Sequence, residues 1–457
     1  MKVLAILIFV IHTAFTAPFS IPRREVRQTI QLPPNSPFRE LNGFYGLIGP
    51  DVRINRVQTL YDLFTGDGKI QGVFFQPNSQ PIFLTHLVRT DKLVYESIHG
   101  RFSKHIWMTP LYVILNKAGM IPNVLGLANT ALLPVDRRLF ALFERDFPYE
   151  LKLDFENKRI QTVKKVYLPG LSHFSGHSKY INRTIHTIDY DVVWNRVRYI
   201  QLDPRFQRKD ASDGSGEHTF RTRYIPLIHD FAILPDGKVL TLDAPLVWKA
   251  VLFPKDIPVG FDKTRPTYIN LYDPVLKRAN QIVCPMPPFY CFHLAYAEYR
   301  GDDLNIYAPL YDNVDFSALN LDGKYRKITI RASGEVVIKK NPLLERLNLD
   351  FPIRLGEYVV LREVENRAIC GFVVCRGLHL VRRIRLPIGR AFCGEPSVVE
   401  VGGRPHLLGF SYDENQRGYM SLVSIWGDEY DEIPLRQWVG IGFHSLFMGG
   451  PLLRNRQ

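Results

Sequence analysis

Cysteine is scarce in this 457-residue chain: Cys284, Cys291, Cys370, Cys375 and Cys393 make five. The count is odd and no pair has CxxC spacing, which excludes a disulfide-built scaffold and a zinc–thiolate site; the sequence allows one or two bridges and demands none. HExxH is absent too, so the commonest zinc-hydrolase helix is excluded. There is no low-complexity block, and after the first seventeen residues no second long apolar run. Basic residues exceed acidic ones by 58 to 45, a net charge of +13 that suggests affinity for an anionic surface. They are dispersed, however. Short clusters such as Arg382-Arg383-Ile384-Arg385 fit a solvated strand face, and no nucleic-acid module is recognisable, so nucleic acid is excluded as a partner.

What the chain does have is apolar and aromatic material, 46% and 12% of its residues, enough for a large core. The N-terminus is set apart. Lys2 precedes VLAILIFVIHTAF, thirteen residues with the length of a signal-peptide apolar region and too short to span a bilayer comfortably. Residues 1–17 therefore read as a secretory signal or, since FTA before Pro18 lacks a small-x-small cleavage pattern, as an uncleaved interfacial anchor. Residues 18–36 read as a linker and 37–457 as one domain. The expected location is the secretory pathway or a membrane surface, with the cytoplasm as the alternative. The sequon Asn182-Arg183-Thr184 matters only in the first case.

From there on, short runs such as KVLTLDAPLVW, KYRKITIRASGEVVIKK and GYMSLVSIWGDEY alternate apolar and polar residues between Gly, Pro, Asn and Asp, predicting an all-β sandwich, barrel or propeller. The exception is Ile106–Leu133, apolar, partly helical in pattern and broken by Pro and Gly. It reads equally as a cap helix packed on the sheet and as a surface that dips into a bilayer.

One stretch, YIPLIHDFAILPDGKVLTLDAPLVW, poses the functional question. Its run Tyr224–Ile228 reads as a strand, Asp236-Gly237 as a hairpin turn, and His229 interrupts the apolar surface between them. Three further histidines share an apolar or aromatic setting: His177 after a Gly in LSHFSGHSKY, His293 in PPFYCFHLAYAEY, read as an aromatic-rich strand, and His444 in VGIGFHSLFM, read as another. They are separated by 52, 64 and 151 residues, so no single helix or loop can gather them. Read alone, each is a core histidine with satisfied nitrogens at least as readily as a metal ligand. They can converge if successive strands point at one axis, as in a β-propeller, but spacing does not show it.

A set of ordered fragments adds to this. NGFYGLIGPDV resembles NGxYxRxGPNP, with Leu47 where Arg is usual. YDLFTGDGKIQGVFF resembles WFDGDGMxHGVxF, with Gln71 for His. LVRTDKL resembles VRTEK, and NTALLPVDRRLFALFERDFPYEL resembles NTALxxxxGRLLALWExGxPYEL. Together they resemble the carotenoid cleavage oxygenases, which include apocarotenoid and stilbenoid dioxygenases and the retinyl-ester isomerohydrolase of the visual cycle. The resemblance runs from about Pro37 to the C-terminus.

It implies a seven-bladed β-propeller with an irregular, partly helical apolar cap, and one Fe(2+) held by His177, His229, His293 and His444. Four neutral imidazoles leave two of six octahedral positions for O2 and substrate. It also implies three carboxylates that orient the imidazoles. Glu144 and Glu395 match directly. Asp350, in LDFPIRL, stands where a Glu is usual, and Tyr296 where an Asn follows the third His. Asp is shorter than Glu by roughly 1.5 Å. Either the backbone around Leu349–Phe351 moves inward, or a water bridges Asp350 to an imidazole, that of His293 being expected; with a bridge, Asp350→Glu should preserve or raise iron affinity. The implied activity is oxidative cleavage of a C=C bond in a carotenoid, apocarotenoid or related conjugated apolar substrate to carbonyl products. The basic, apolar cap around Ile106–Leu133 would dock on a membrane. Two alternatives stay open: a non-oxidative retinoid isomerase or hydrolase of the same fold, against which the lack of a PDPC-K segment near RTDKLVYESIHGRF weighs, and a non-catalytic carotenoid- or retinoid-binding propeller.

Overall fold

The computed structural model describes residues 25–52, 57, 59–102, 108–209, 218–249, 258–319 and 321–449. The signal or anchor reading of residues 1–17, residues 18–24 of the linker, and Ile106 and Trp107 of the apolar segment lie outside them.

The architecture is almost wholly β, built from antiparallel meanders in chain order. The first sheet joins Gly43–Pro50, Gly68–Phe75, Ile82–Leu87 and Arg27–Thr29, and its free edge is completed by Ser445–Gly449 from the far end of the chain, in register Leu47↔Ser445 to Gly43↔Gly449. Four-stranded sheets follow over Ala131–Lys165, Lys179–Arg221, Ala232–Val283 and Tyr296–Lys339. A nine-stranded sheet then holds Leu349–Leu355 to Tyr430–Pro434, with Arg390–Phe392 bridging two four-stranded meanders. This is a β-propeller.

The hydrophobic material lies between neighbouring sheets. Phe44, Ile48 and Phe74 of the first sheet pack with Leu132, Leu139 and Tyr149 of the second, for example. A strand sandwiched this way is covered on both faces, which explains one departure from the sequence reading. Val239–Asp243, expected to alternate, is buried at every position, and its polar Thr241 accepts a hydrogen bond from Asn270 on the neighbouring strand. The turn before it is as expected: Ala232–Ile233 pairs with Leu240 and Val239, and Gly237 takes φ +82°, a conformation that disfavours side chains. The run before the histidine is not. Tyr224–Asp230 joins no ladder in the described structure; it is a buried connection whose Tyr224, Ile225 and Ile228 fill gaps between sheets. Hydrophobicity alone cannot tell a strand from such a connection.

Among the described residues, helix is confined to Leu60–Phe64, Asp91–His99 and Thr109–Lys117, apart from short 3-10 turns. The second starts at Thr90, whose hydroxyl accepts from Leu93 N at 3.1 Å. The third is the helical part of the predicted apolar cap segment; Val113 and Ile114 are exposed, the latter 64%. None of the described helices is long and apolar enough to cross a membrane. All five cysteines carry free thiols.

Candidate metal centre

The four histidines come from four different sheets, and each lies just upstream of a strand. His177 precedes Lys179–Ile181, His229 precedes Ala232–Ile233, His293 precedes Tyr296–Arg300, and His444 precedes Ser445–Gly449. The expectation that His293 and His444 sit within strands is therefore corrected. A ladder residue commits its backbone to neighbours and its side chain to one face, whereas the loop feeding the strand can turn a side chain toward the centre. One ring nitrogen of each histidine lies within 4.8 Å of those of the other three. His177 Nε2 and His229 Nε2 are 3.0 Å apart, and His293 Nε2 is buried with no hydrogen-bond partner.

On the outward side, three of the rings meet carboxylates. His229 Nδ1 contacts Glu144, His293 Nδ1 lies 2.8 Å from Asp350 Oδ1, and His444 Nδ1 lies 3.1 Å from Glu395 Oε2, which also accepts from Ser445 N. Among the described residues His177 has no carboxylate of its own; its backbone N donates to Ser175 Oγ at 3.1 Å. Each carboxylate holds a proton on Nδ1 and so leaves a lone pair on Nε2, facing inward. Three or four lone pairs converging in a buried space repel unless a cation lies between them. The donor set is all imidazole, which suits Fe, Zn, Cu or Ni and disfavours Ca or Mg. The residues therefore fit ferrous iron.

Electrostatics favour the neutral imidazole at His177 and His293 and oppose it at His229. Burial and the other three imidazoles push His177 well below the usual histidine range. Burial also lowers His293, against the opposing pull of Asp350. For His229 burial acts downward but Glu144 outweighs it. Asp350 is held down to about 2: burial would raise it, but His293, Arg362 and Tyr311 prevail.

Asp350 reaches His293 directly, so the inward-backbone alternative applies and the bridging water does not. Its strand is irregular here. Register shifts between Asp350 and Ile353, and Phe351 takes φ +52°, left-handed for a bulky aromatic residue. The other oxygen, Oδ2, accepts from Tyr311 Oη at 2.5 Å. The consequence expected of a bridge, that Asp350→Glu would preserve or raise affinity, falls with it.

Three further residues organise the cage. Asp230, beside His229, receives Lys179 Nζ at 2.7 Å and Leu294 N at 2.9 Å, tying together the loops that carry His177, His229 and His293. Leu47 is fully buried, and a Cβ on Gly442 would come within 2.2 Å of its Cγ, so the loop to His444 rests on this leucine. Gln71 grips the same loop with both ends of its amide, accepting from Gly440 N at 2.6 Å and donating to Gly440 O at 2.9 Å. The two departures at Leu47 and Gln71 thus support the His444 loop. Tyr296 stacks on Tyr307 instead of joining the cage, and His173 pairs with Asp189. A second grouping, Glu363, Glu365 and Cys370, is neutralised by Arg383 and Arg385. Tyr311 and Arg362 were not anticipated from the sequence: the bulge that places them beside Asp350 has no signature in LDFPIRL.

The cage opens on a cavity of about 1660 Å³, whose walls include Phe64, Tyr290, Phe292, Phe316, Phe351 and Phe443. That exceeds the roughly 300–1,000 Å³ of a drug-sized pocket, and the wall is mainly aromatic and aliphatic. Val113 and Ile114 of the helix Thr109–Lys117 also line it.

Known proteins resemble this chain in sequence and in fold. The family model of the retinal pigment epithelial membrane protein matches residues 24–358. Carotenoid 9,10(9',10')-cleavage dioxygenase 1 of Phaseolus vulgaris is 26% identical over 96% of this chain and 89% of its own length. The enzyme of the same name from Arabidopsis thaliana is 25% identical over 61% of this chain and 54% of its own. Among solved structures, the cobalt-substituted apocarotenoid oxygenase of Synechocystis superposes with a TM-score of 0.72 at 18% identity, covering 94% of this chain and 97% of the other.

Proposed function

The chain belongs to the retinal pigment epithelial membrane protein family, that of the carotenoid cleavage oxygenases, and on that premise we propose that it is an iron(II)-dependent dioxygenase cleaving a C=C bond of a long conjugated apolar substrate, a carotenoid or apocarotenoid. The observation that carries this is the inward convergence of four imidazole nitrogens within 4.8 Å at the end of an apolar cavity. A relative named as a carotenoid-cleavage dioxygenase over 96% of this chain supports it.

His177, His229, His293 and His444 would hold the iron, which when bound supplies the activation of dioxygen. The reaction balances without a further reductant: the four electrons of the cleaved C=C go to the four-electron reduction of O2, and two C=O groups result. The protein's own part is to bind, orient and exclude. Glu144, Asp350 and Glu395 keep each proton on Nδ1 and the rings in place. Tyr290, Phe292 and Phe443 give a polyene a wall without competing hydrogen bonds and keep bulk water out. Helix Thr109–Lys117, with Val113 and Ile114 exposed and Lys117 at its end, is the surface that would dock on a membrane and draw an insoluble substrate inward. The N-terminal seventeen residues would direct the chain to that membrane or into the secretory pathway.

The test is to load the purified protein with ferrous iron and measure O2 uptake and aldehyde formation over a panel of carotenoids, apocarotenoids and stilbenes. One O2 consumed per two carbonyls is expected. Retinyl-ester cleavage without O2 uptake would favour the isomerase alternative, and tight binding without turnover a carrier.

A further inference from the structure

One charged side chain in the cavity wall acts on the cage only through its charge beside Asp350. Arg362, on the strand Tyr358–Glu365, is the register partner of Asp350 and lines the same cavity as His229, His293 and His444. Its guanidinium lies 3.7 Å above the centre of the Phe351 ring, and Phe351 in turn stacks on His444 and touches His293. Its Nε is buried without a hydrogen-bond partner. The acids close enough to influence it are Asp350 and Glu395, and each already serves a histidine of the cage. Asp350 serves His293 and Tyr311, while Glu395 serves His444 and Ser445 N. Among the described residues no ion pair to Arg362 is formed.

A guanidinium stays charged in any protein setting, so holding it half-buried with its Nε shut off from any hydrogen bond is costly unless an anion comes to it. Stacking on Phe351 offsets only part of that cost, while leaving the edge of the fork available to a planar oxyanion. We propose that Arg362 is a substrate-anchoring site that takes the terminal carboxylate of an acidic conjugated substrate, an apocarotenoid acid or a related polyene acid. This deepens the dioxygenase reading and rests on it for the conjugated portion. The anchor sets the distance from the acid end to the iron and hence which bond faces it.

The experiment measures binding, separately from turnover. The full chain as purified is kept anaerobic and titrated with retinoic acid and with its methyl ester, following quenching of tryptophan fluorescence. The wild type should bind the acid at least about tenfold more tightly than the ester. Arg362→Met should bring that ratio to about one by weakening the acid, and Arg362→Lys should keep a several-fold preference. If the Met variant does not fold, Arg362→Gln is read in its place. A wild-type ratio near one, or a ratio unchanged in the uncharged variant, overturns the proposal; in the latter case the acid would be held elsewhere, at the metal for example. The two readings fail separately. Iron-loaded wild type that takes up no O2 with any substrate refutes the oxygenase reading while the binding ratio stands. A ratio of one beside normal turnover refutes the anchor alone.

Discussion

Asp350 commits both carboxylate oxygens, one to His293 and one to Tyr311, and it is one methylene shorter than the residue usual at that place. The backbone makes up the difference at Phe351, through a left-handed φ of +52°. Removing the acid leaves His293 without the partner that fixes its tautomer, so Asp350→Ala should weaken iron binding by about 10–100-fold. Asp350→Glu puts an extra methylene where the contact is already made and should also lose affinity, with an overpacking cost of about 1–3 kcal/mol; metal titration and thermal melts of both variants check this. Asp243 gives a test away from the metal. Burial raises its carboxyl from 3.8 to about 7, and hydrogen bonds from Arg223 N and Tyr224 N only partly oppose it. A raised carboxyl favours the fold in its protonated form. That contribution is complete below about pH 4 and is lost as pH rises to about 7, where the buried charge costs stability. Asp243→Asn should therefore melt higher than wild type at pH 8, by up to about 4 kcal/mol of stability, and the advantage should vanish near pH 4. Equal shifts at both pH values would contradict it.

At the scale of elements, the segment Gly440–Gly449 does two jobs. Its strand completes the first sheet, and the loop before it presents His444 between Gln71 and Leu47. Gly442→Ala should push this loop off its seat, because the added Cβ would meet Leu47 Cγ at 2.2 Å, and metal occupancy should fall. Leu47→Ala in the same chain makes room and should restore part of it; metal analysis of the single and double variants decides. Much at this scale was legible beforehand. Asp236-Gly237 announced its turn because the required φ suits glycine, and the succession of short apolar runs announced an all-β chain. The strand assignment of Tyr224–Ile228 failed because a buried connection is as apolar as a strand. The irregular pairing after Asp350 was hidden because a bulge depends on the neighbouring strand, and Arg362 was hidden with it.

At the scale of the whole molecule, histidines as far as 267 residues apart, His177 and His444, meet because consecutive meanders are arranged around one centre and the last strand returns to the first sheet. Spacing contains none of this. The fragments resembling a known family carried the four-histidine set, and the geometry brings those four side chains together. The carboxylates fall into place behind three of the rings and not behind His177, so the cage is asymmetric, with His177 held through its backbone. The most direct test of the account is the iron content of the purified, iron-loaded chain, in wild type and in His229→Ala and His293→Ala. About one iron per chain is predicted for wild type and a large loss for each variant, because three imidazoles hold Fe(II) poorly. Full occupancy in both variants, or no stoichiometric iron in wild type, would contradict it.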